Sequence, residues 1–394
     1  MEKTLNGKPT GAAASEAELI RRTYEGRLLP DVQVDTFRNT HLMFATRTVR
    51  RAGPVQALEH APADLIDELS IESKGAEYDF YDYLSRNRVA GLLILKRGKI
   101  ALERYDLGYC ADAGWLSMSM AKSVSTTLIG AAIQDGLLRS VEEPLTAYLP
   151  QLKGSGLDGV SIRHLLQMTS GLRWNDTHTD PTSERRRMLE LQIEQRPGAI
   201  LSYVAGQPKV APPGTLWNYS TGETHVVGAL LRALTGRWVA DYLSEKIWSK
   251  LGMEADATWW LEAPGGLEVA GSGISATLRD YGRFGLFMQN DGVIGTERVL
   301  PPGWVRESGA PREVGGKRVD YGYMWWPVAG RDGAFTAGAF SARGIFGQFI
   351  YINPREQVVI VVLSSRSKPK GAEAITDNDF FNAVVEALHQ EETT

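Results

Sequence analysis

The order of predicted elements in this 394-residue chain indicates an α/β fold of the α+β type, in which helices flank one antiparallel sheet. An apolar hairpin pattern covers residues 89–105, and further strand-like segments occur in the last third of the chain. The part between them shows helical spacing. Because both ends would supply strands to one sheet, we expect an α/β subdomain from residues 1–115 and 270–394. Residues 116–269 would form an all-helical subdomain inserted into it.

Local patterns predict the individual elements. Gly98 separates two apolar runs and would form the turn of the hairpin. Helical segments, most of which end near a glycine, are predicted at residues 161–168, 224–235, 239–251 and 277–289. Late strands are predicted at residues 321–326, 345–352 and 357–363. A closing helix over 377–389, capped by Asp377, would bury one apolar face, whereas residues 1–60 show little periodicity and predict an extended N-terminal arm.

The composition argues against several classes of function. A net charge of -4 and a pI near 6.0 disfavour a nucleic-acid or anionic-membrane partner, which requires a basic surface. The six histidines lack metal-site spacing and no glycine-rich phosphate loop follows a strand, so we expect neither a metal nor another cofactor. Cys110 has no partner for an internal disulfide and is expected to be a packed thiol. Because no apolar run has the length of a signal peptide or a membrane span, we expect a cytoplasmic protein.

Ser119 and Lys122 are the candidate catalytic pair. They precede an apolar, small-residue run that predicts a helix, so their side chains would lie one turn apart on one face near its N-terminus. Burial and the positive end of the helix dipole would lower the pKa of the lysine toward neutrality. A neutral lysine can accept the serine proton and activate a weak nucleophile. The alternative is an ordinary helix-start serine beside a solvated lysine.

A second Ser-x-x-Lys pattern, at Ser365 and Lys368, lacks this context. It follows a β-type run and precedes Pro369, so no helix can hold its two side chains together. Ser119 is therefore the preferred nucleophile.

Two later segments would complete a site around Ser119. Tyr219 lies between a Pro-Gly loop and a predicted helix, where its phenol could relay a proton to a leaving group; a half-buried tyrosine that caps the helix is the alternative. Gly344 would allow a substrate to approach the edge of a strand, and the N–H groups of Ile345 and Ser119 could then form an oxyanion hole. An edge glycine without function is the alternative there.

The Ser119 motif, the Tyr219 motif and the Gly344 strand occur in an order and spacing that resemble serine β-lactamases, DD-peptidases and β-lactamase-like esterases. Supporting motifs of that family are similar to residues 162–172, 213–220 and 271–285. Within the family the chain most resembles the 6-aminohexanoate-dimer hydrolases, in residues 38–47, 118–123 and 180–184. The resemblance implies a serine β-lactamase-like fold over most of the chain.

The same resemblance implies roles for individual residues. The catalytic residues would be Ser119, Lys122 and Tyr219, with the N–H groups of Ser119 and Ile345 as the oxyanion donors. The substrate-binding residues would be Trp174, His178 and Gly344. His178 aligns with a substrate-contacting tyrosine of the 6-aminohexanoate-dimer hydrolases, and a neutral imidazole could donate a hydrogen bond in its place. A surface histidine in a polar loop is the alternative.

Two positions depart from the β-lactamase pattern. Thr221 stands where an asparagine ends the tyrosine motif, and Ala342 stands where a lysine helps to bind the β-lactam carboxylate. Arg343 adds a charge, but a regular strand would direct it to the opposite face from Ala342 and Gly344. Penicillin hydrolysis and cell-wall transpeptidation are therefore disfavoured.

The sequence predicts a serine hydrolase that cleaves small linear amides, similar to 6-aminohexanoate oligomers, through an acyl-enzyme. A carboxylesterase with the β-lactamase fold is the alternative. A β-lactamase, a D-aminopeptidase and a penicillin-binding sensor without turnover are less favoured. We expect a small amide or ester as the partner rather than nucleic acid or a membrane, and a homodimer stays open.

Overall fold

A computed structural model describes residues 12–61 and 69–391 of the chain. The helices are α1 (Ala12–Tyr24), α2 (Pro30–Arg38), α3 (Phe80–Arg86), α4 (Met120–Gln134), α5 (Ile162–Leu166), α6 (Glu184–Ile193), α7 (Ala199–Ala205), α8 (Thr221–Thr235), α9 (Val239–Lys246), α10 (Leu278–Gln289), α11 (Trp304–Gly309) and α12 (Asp377–Glu391). The strands are β1 (Thr46–Val49), β2 (Ile71–Ser73), β3 (Ala76–Tyr78), β4 (Val89–Lys96), β5 (Lys99–Tyr105), β6 (Trp115–Leu116), β7 (Ala257–Trp260), β8 (Ile274–Ala276), β9 (Val293–Ile294), β10 (Glu297–Arg298), β11 (Arg312–Val314), β12 (Lys317–Val319), β13 (Trp326–Pro327), β14 (Phe340–Gly344), β15 (Gln348–Asn353) and β16 (Val358–Ser364). None of these helices is long and apolar enough to cross a membrane.

The central sheet is antiparallel, with the strand order β13-β14-β15-β16-β4-β5. Strands β4 and β5 come from the N-terminal third and the other four from the last third, so both ends of the chain build the sheet, as predicted. Gly98 lies in the tight turn between β4 and β5 with φ +78°, a left-handed conformation that favours glycine. The predicted subdomain boundaries at residues 116 and 269 stay a prediction.

Alternate residues of the central strands pack on opposite faces of the sheet. Leu93 and Val361 belong to the larger core, which also contains Phe284 of α10. Their neighbours in sequence, such as Val362, pack on the other face with Phe380 of α12. The closing helix therefore buries its aromatic face, as its spacing predicts.

Helix α4 lies at the centre of the helical part of the molecule. Its residues 120–132 are all buried, because α4 packs against α8 and α9 and also against β14 of the sheet. Its serine and threonine side chains are hydrogen-bonded within the protein, as a helix that is buried on every side requires. The start of α4, where Ser119 lies, is thereby brought close to β14, and α8, which begins just after Tyr219, packs against α4.

The N-terminal region is not the extended arm that the sequence predicts. Helices α1 and α2 bury Ile20, Tyr24 and Phe37 in the larger core, and β1 pairs with β7 in a second sheet of order β1-β7-β8-β6. Short helices derive most of their stability from tertiary packing, so sparse apolar residues among charged ones leave little periodic pattern to detect. Residues 1–11 of the predicted arm lie outside the described residues.

Two of the late strands have different bounds from those predicted. Residues 321–325 are irregular and bury Tyr321, Tyr323 and Trp325, so apolar character there reflects burial rather than a strand. The strand predicted at 345–352 begins at Gln348. The residues before it form a turn because Phe346 and Gly347 have φ values of +64° and +84°, which a strand does not allow. Ile345 therefore lies in a turn at the end of β14.

Helix α12 begins at Asp377, as predicted, but Asp377 does not cap it. Thr376 Oγ accepts a hydrogen bond from the backbone N–H of Asp379 at 3.3 Å, so the threonine provides the cap. The Asp377 carboxylate instead accepts hydrogen bonds from Arg366 and from the Tyr83 hydroxyl. Arg366 thus forms an ion pair with Asp377. Local sequence pattern does not reveal this pair, so it could not correct the predicted cap.

Cys110 is exposed, so the expectation of a packed thiol is wrong. The residue lies in the segment between β5 and β6, where Leu107 is also exposed. A thiol is apolar enough to be buried in most proteins, but its position in a connecting segment outweighs that preference.

Candidate active site

Ser119 occupies the N-cap position of α4 and lies in the wall of a cavity of about 1070 Å³. Its side chain makes no capping hydrogen bond, so its Oγ is available to other side chains. The buried residue before it, Met118, has φ +46°, a strained conformation that is found preferentially at functional sites. The second motif is different, since Ser365 and Lys368 lie outside any helix, as predicted.

Lys122 lies directly beside Ser119. Its Nζ is 3.1 Å from Ser119 Oγ and donates to the carbonyl oxygen of Gly271 at 2.9 Å. The side chain is 1% exposed, so the alternative of a solvated lysine is wrong. Burial lowers the pKa of Lys122 to about 7, and the carboxylate of Asp176 opposes this shift. A large fraction of the amine is therefore unprotonated near neutral pH and can accept a proton.

Tyr219 approaches the same pair from the segment before α8. Its ring centroid is 5.3 Å from Lys122 Nζ, and Ser119 is near enough to oppose the effect of burial on the pKa of its hydroxyl. Burial raises the pKa of Tyr219, so the phenol retains its proton at neutral pH and can donate it. The cap of α8 is Ser220, whose Oγ accepts from the N–H of Glu223, so Tyr219 is not the cap.

The proposed oxyanion donors, the N–H groups of Ser119 and Ile345, line the same cavity. The end of β14 packs on the residues just before Ser119. A Cβ on Gly344 would lie 2.5 Å from the carbonyl oxygen of Ser117, so glycine is required for this approach. Ile345 follows in the turn and lines the cavity together with Ser119 and Gly344. In the turns and loops of the described residues, neither the Ile345 nor the Ser119 N–H donates to another backbone group. Both N–H groups are available to a substrate oxygen. At Gly344, however, the close neighbour is the carbonyl oxygen of Ser117 rather than the space for a substrate.

Trp174 and His178 lie in a loop that forms another wall of the cavity. His178 is 6% exposed and stacks on Tyr24, with ring centroids 5.8 Å apart, so the alternative of a surface histidine is wrong. Burial, followed by the charge of Arg185, lowers the pKa of His178 to about 3. The imidazole is therefore neutral at physiological pH. Trp174 Nε1 donates to Asp176 at 2.7 Å, which fixes the indole against the cavity.

Arg343 also borders the cavity. The sequence did not predict this, because strand alternation directs Arg343 to the face opposite to Gly344. Ala342 lies on the opposite face, as predicted, but that face is the buried core. Arg343 Nε donates to Ser341 Oγ at 2.8 Å and its Nη2 donates to Asn378 Oδ1 at 3.3 Å. Both acceptors are neutral. The guanidinium therefore brings to the site a positive charge that forms no ion pair among the described residues, although the Asp377 carboxylate acts on it through space.

A serine beside a buried lysine, at the edge of an antiparallel sheet flanked by helices, is the arrangement of a beta-lactamase-fold hydrolase. The beta-lactamase family model matches residues 82–381, and the chain belongs to this family. The fold class and the family resemblance predicted from the sequence are thus confirmed.

Several proteins are similar over most of the chain. The 6-aminohexanoate-dimer hydrolase of Paenarthrobacter ureafaciens is 28% identical over 345 residues, which are 83% of this chain and 84% of that protein. A Bacillus anthracis structure, provisionally described as a 6-aminohexanoate-dimer hydrolase, has a TM-score of 0.79 at 22% identity and covers 92% of this chain and 95% of its own. A family VIII carboxylesterase structure has a TM-score of 0.60 at 17% identity, over 85% of this chain and 99% of its own.

Proposed function

We propose that this protein is a serine hydrolase that cleaves small linear amides, similar to 6-aminohexanoate oligomers, through an acyl-enzyme. The observation that carries the proposal is the 3.1 Å separation of Lys122 Nζ and Ser119 Oγ in the wall of a large cavity. Similarity to the 6-aminohexanoate-dimer hydrolase of Paenarthrobacter ureafaciens supports a linear amide as the substrate.

In the proposed acylation step, unprotonated Lys122 accepts the hydroxyl proton of Ser119 as Oγ attacks the substrate carbonyl carbon. The N–H groups of Ser119 and Ile345 donate to the carbonyl oxygen as it gains negative charge. Tyr219 protonates the nitrogen of the leaving amine as the C–N bond breaks, and protonated Lys122 returns its proton to Tyr219. The acyl group then remains on Ser119 as an ester.

Deacylation uses the same groups in the reverse order. A water molecule takes the place of the departed amine and attacks the ester carbonyl, while Tyr219 accepts its proton and passes its own hydroxyl proton to unprotonated Lys122. The proton passes to Ser119 Oγ as the C–O bond breaks, and the carboxylic acid product leaves. The groups are restored to their starting protonation states, so the cycle balances without a cofactor.

Arg343 and Lys370, which line the cavity together with four acidic residues, support a substrate that carries a carboxylate. Burial lowers the pKa of Arg343 to about 10, which still leaves it charged at neutral pH. Lys370 Nζ lies 5.8 Å from the Tyr219 ring centroid. Arg366 is paired with Asp377, but neither Arg343 nor Lys370 has an ion pair with a carboxylate among the described residues. A partly buried guanidinium without an anion is unfavourable, and a substrate carboxylate would supply that partner.

A carboxylesterase would use the same residues, and its alkoxide leaving group would need less help from Tyr219. Penicillin hydrolysis remains disfavoured, since Ala342 supplies no amine and the Thr221 hydroxyl is hydrogen-bonded to Asp176 at 3.1 Å. A cytoplasmic location and a homodimer stay predictions.

A parallel comparison of kcat/KM tests the proposal. The substrates are 6-aminohexanoate linear dimer, p-nitrophenyl acyl esters, D-amino-acid amides and nitrocefin, with Ser119→Ala as the background control. We expect cleavage of the linear dimer and of the activated esters, and none of nitrocefin. Cleavage of esters alone would establish the carboxylesterase instead, and efficient nitrocefin turnover would contradict both.

A further inference from the structure

Asp176 is a buried acid in the wall of the cavity. Its Oδ2 accepts hydrogen bonds from Trp174 Nε1 and from the backbone N–H of Thr221, each at 2.7 Å, and its Oδ1 accepts from Thr221 Oγ at 3.1 Å. Thr221 is the first residue of α8, so the carboxylate faces the positive end of that helix. Burial alone would raise the pKa of Asp176, but nearby charges and the Thr221 N–H lower it overall. The acid is therefore ionised at neutral pH.

The same carboxylate is connected to the surroundings of the proposed base through Thr221. Lys122 Nζ and Thr221 Cγ2 each lie 3.1 Å from the position that a Cβ on Gly271 would occupy. Lys122 and Thr221 thus both pack against Gly271, and Asp176 is hydrogen-bonded to Thr221. Lys122 donates its own hydrogen bonds to Ser119 and Gly271. Asp176 consequently acts on Lys122 through space.

The other groups that face Lys122 act in the opposite direction. Burial is the largest cause of its low pKa, and the charges of Arg185 on α6 and Lys370 after β16 lower it further. His178 is neutral and Tyr219 is protonated at physiological pH. Among these groups, Asp176 alone supplies a negative charge.

We infer that Asp176 is a positioning residue for the reaction, whose charge keeps Lys122 basic enough to take the Ser119 proton at neutral pH. The inference rests on the proposed function, in which Lys122 is the base. A general base works best when its pKa is close to the working pH. Without Asp176, burial and the two cations would make Lys122 a weaker base.

Asp176→Asn removes the charge and can retain each contact. The amide oxygen can accept both bonds of Oδ2, and the amide NH₂ can donate to Thr221 Oγ. We expect the acidic limb of the kcat/KM profile to move to lower pH by about one unit, the low end of the shift that a neighbouring opposite charge produces. We also expect the plateau to fall several-fold, because a weaker base transfers the proton less readily. The matched control is Asp180→Asn, in the same loop but outside the cavity wall, which should leave the limb in place.

A direct titration separates this inference from the proposed function. The Lys122 signal of the protein labelled with [ε-¹³C]lysine, assigned with Lys122→Arg, reports the protonation of Lys122 without turnover. We expect a midpoint near the value of about 7 in the unsubstituted protein and a lower midpoint in Asp176→Asn. Inactivity of the enzyme on amides would contradict the proposed function but would leave this midpoint shift intact.

A second pair of variants covers the case in which the asparagine variant folds poorly. Asp176→Glu keeps the charge and disturbs the contacts, whereas Asp176→Ala removes both. We expect the acidic limb of the glutamate variant to stay near that of the unsubstituted protein and that of the alanine variant to move to lower pH. An unmoved limb in every charge-removing variant, or an equal shift in Asp180→Asn, would overturn the inference and leave Asp176 with a structural role.

Discussion

Lys122 Nζ lies 3.1 Å from Ser119 Oγ on a side chain that is almost entirely withdrawn from solvent. Burial disfavours the charged amine and lowers its pKa to about 7. Because only unprotonated Lys122 can accept the serine proton, we expect kcat/KM to rise about tenfold per pH unit below that value and to level off above it. A pH profile with a neutral amide substrate measures this. A flat profile from pH ~5 to ~9 would mean that Lys122 is not the base.

Lys122→Arg is expected to be nearly as inactive as Lys122→Ala. A guanidinium keeps its proton at any working pH, so it can supply positive charge but cannot act as a base. We expect a loss of about 10²–10⁴-fold in kcat/KM for both variants, the range typical of a positioned acid–base group. Substantial activity in the arginine variant would make Lys122 an electrostatic helper and would require another base.

Tyr219→Phe is expected to separate amide from ester cleavage. An amine must be protonated as it leaves, whereas a nitrophenolate leaves with little help, so the loss should be about 10²–10⁴-fold on amides and much smaller on activated esters. Circular dichroism should be unchanged, because one hydroxyl is removed. Equal losses on both substrates would place Tyr219 in the activation of Ser119, and no loss would leave it without a catalytic role.

The parts of the site that were predictable from the sequence depend on local spacing. Ser119 and Lys122 are one helical turn apart, so a helix brings their side chains together whatever the rest of the fold does. Tyr219 next to a helix start and Gly344 at a strand end are similarly short-range signals. The continuous apolar runs of the central strands and the apolar face of α12 were visible for the same reason.

The remaining features depend on contacts between distant segments. Asp176 is hydrogen-bonded to Thr221, 45 residues away, and no spacing rule connects the two. Arg343 faces the cavity because the opposite face of β14 is covered by the core, which strand alternation alone does not specify. The helices of the N-terminal region are likewise stabilised by the core on which they pack.

Arg343→Gln is expected to weaken selectively the cleavage of substrates that carry a carboxylate. A hydrogen bond to a charged group contributes roughly 1.5–3 kcal/mol, so kcat/KM for an acidic amide should fall by about one to two orders of magnitude. The same amide with its carboxylate converted to a methylamide should be affected little. Arg355→Gln, at an exposed arginine outside the cavity wall, is the matched control. Equal losses on the acidic and the neutral amide would contradict a role in carboxylate binding.

The central claim is that Ser119 is the nucleophile, and mass spectrometry of the protein after reaction with a phosphonate or a slowly hydrolysed ester tests it most directly. We expect one covalent adduct, on the peptide that contains Ser119, and neither adduct nor turnover in a Ser119→Ala variant with an unchanged circular dichroism spectrum. An adduct on Ser365 or full activity of the alanine variant would contradict the account.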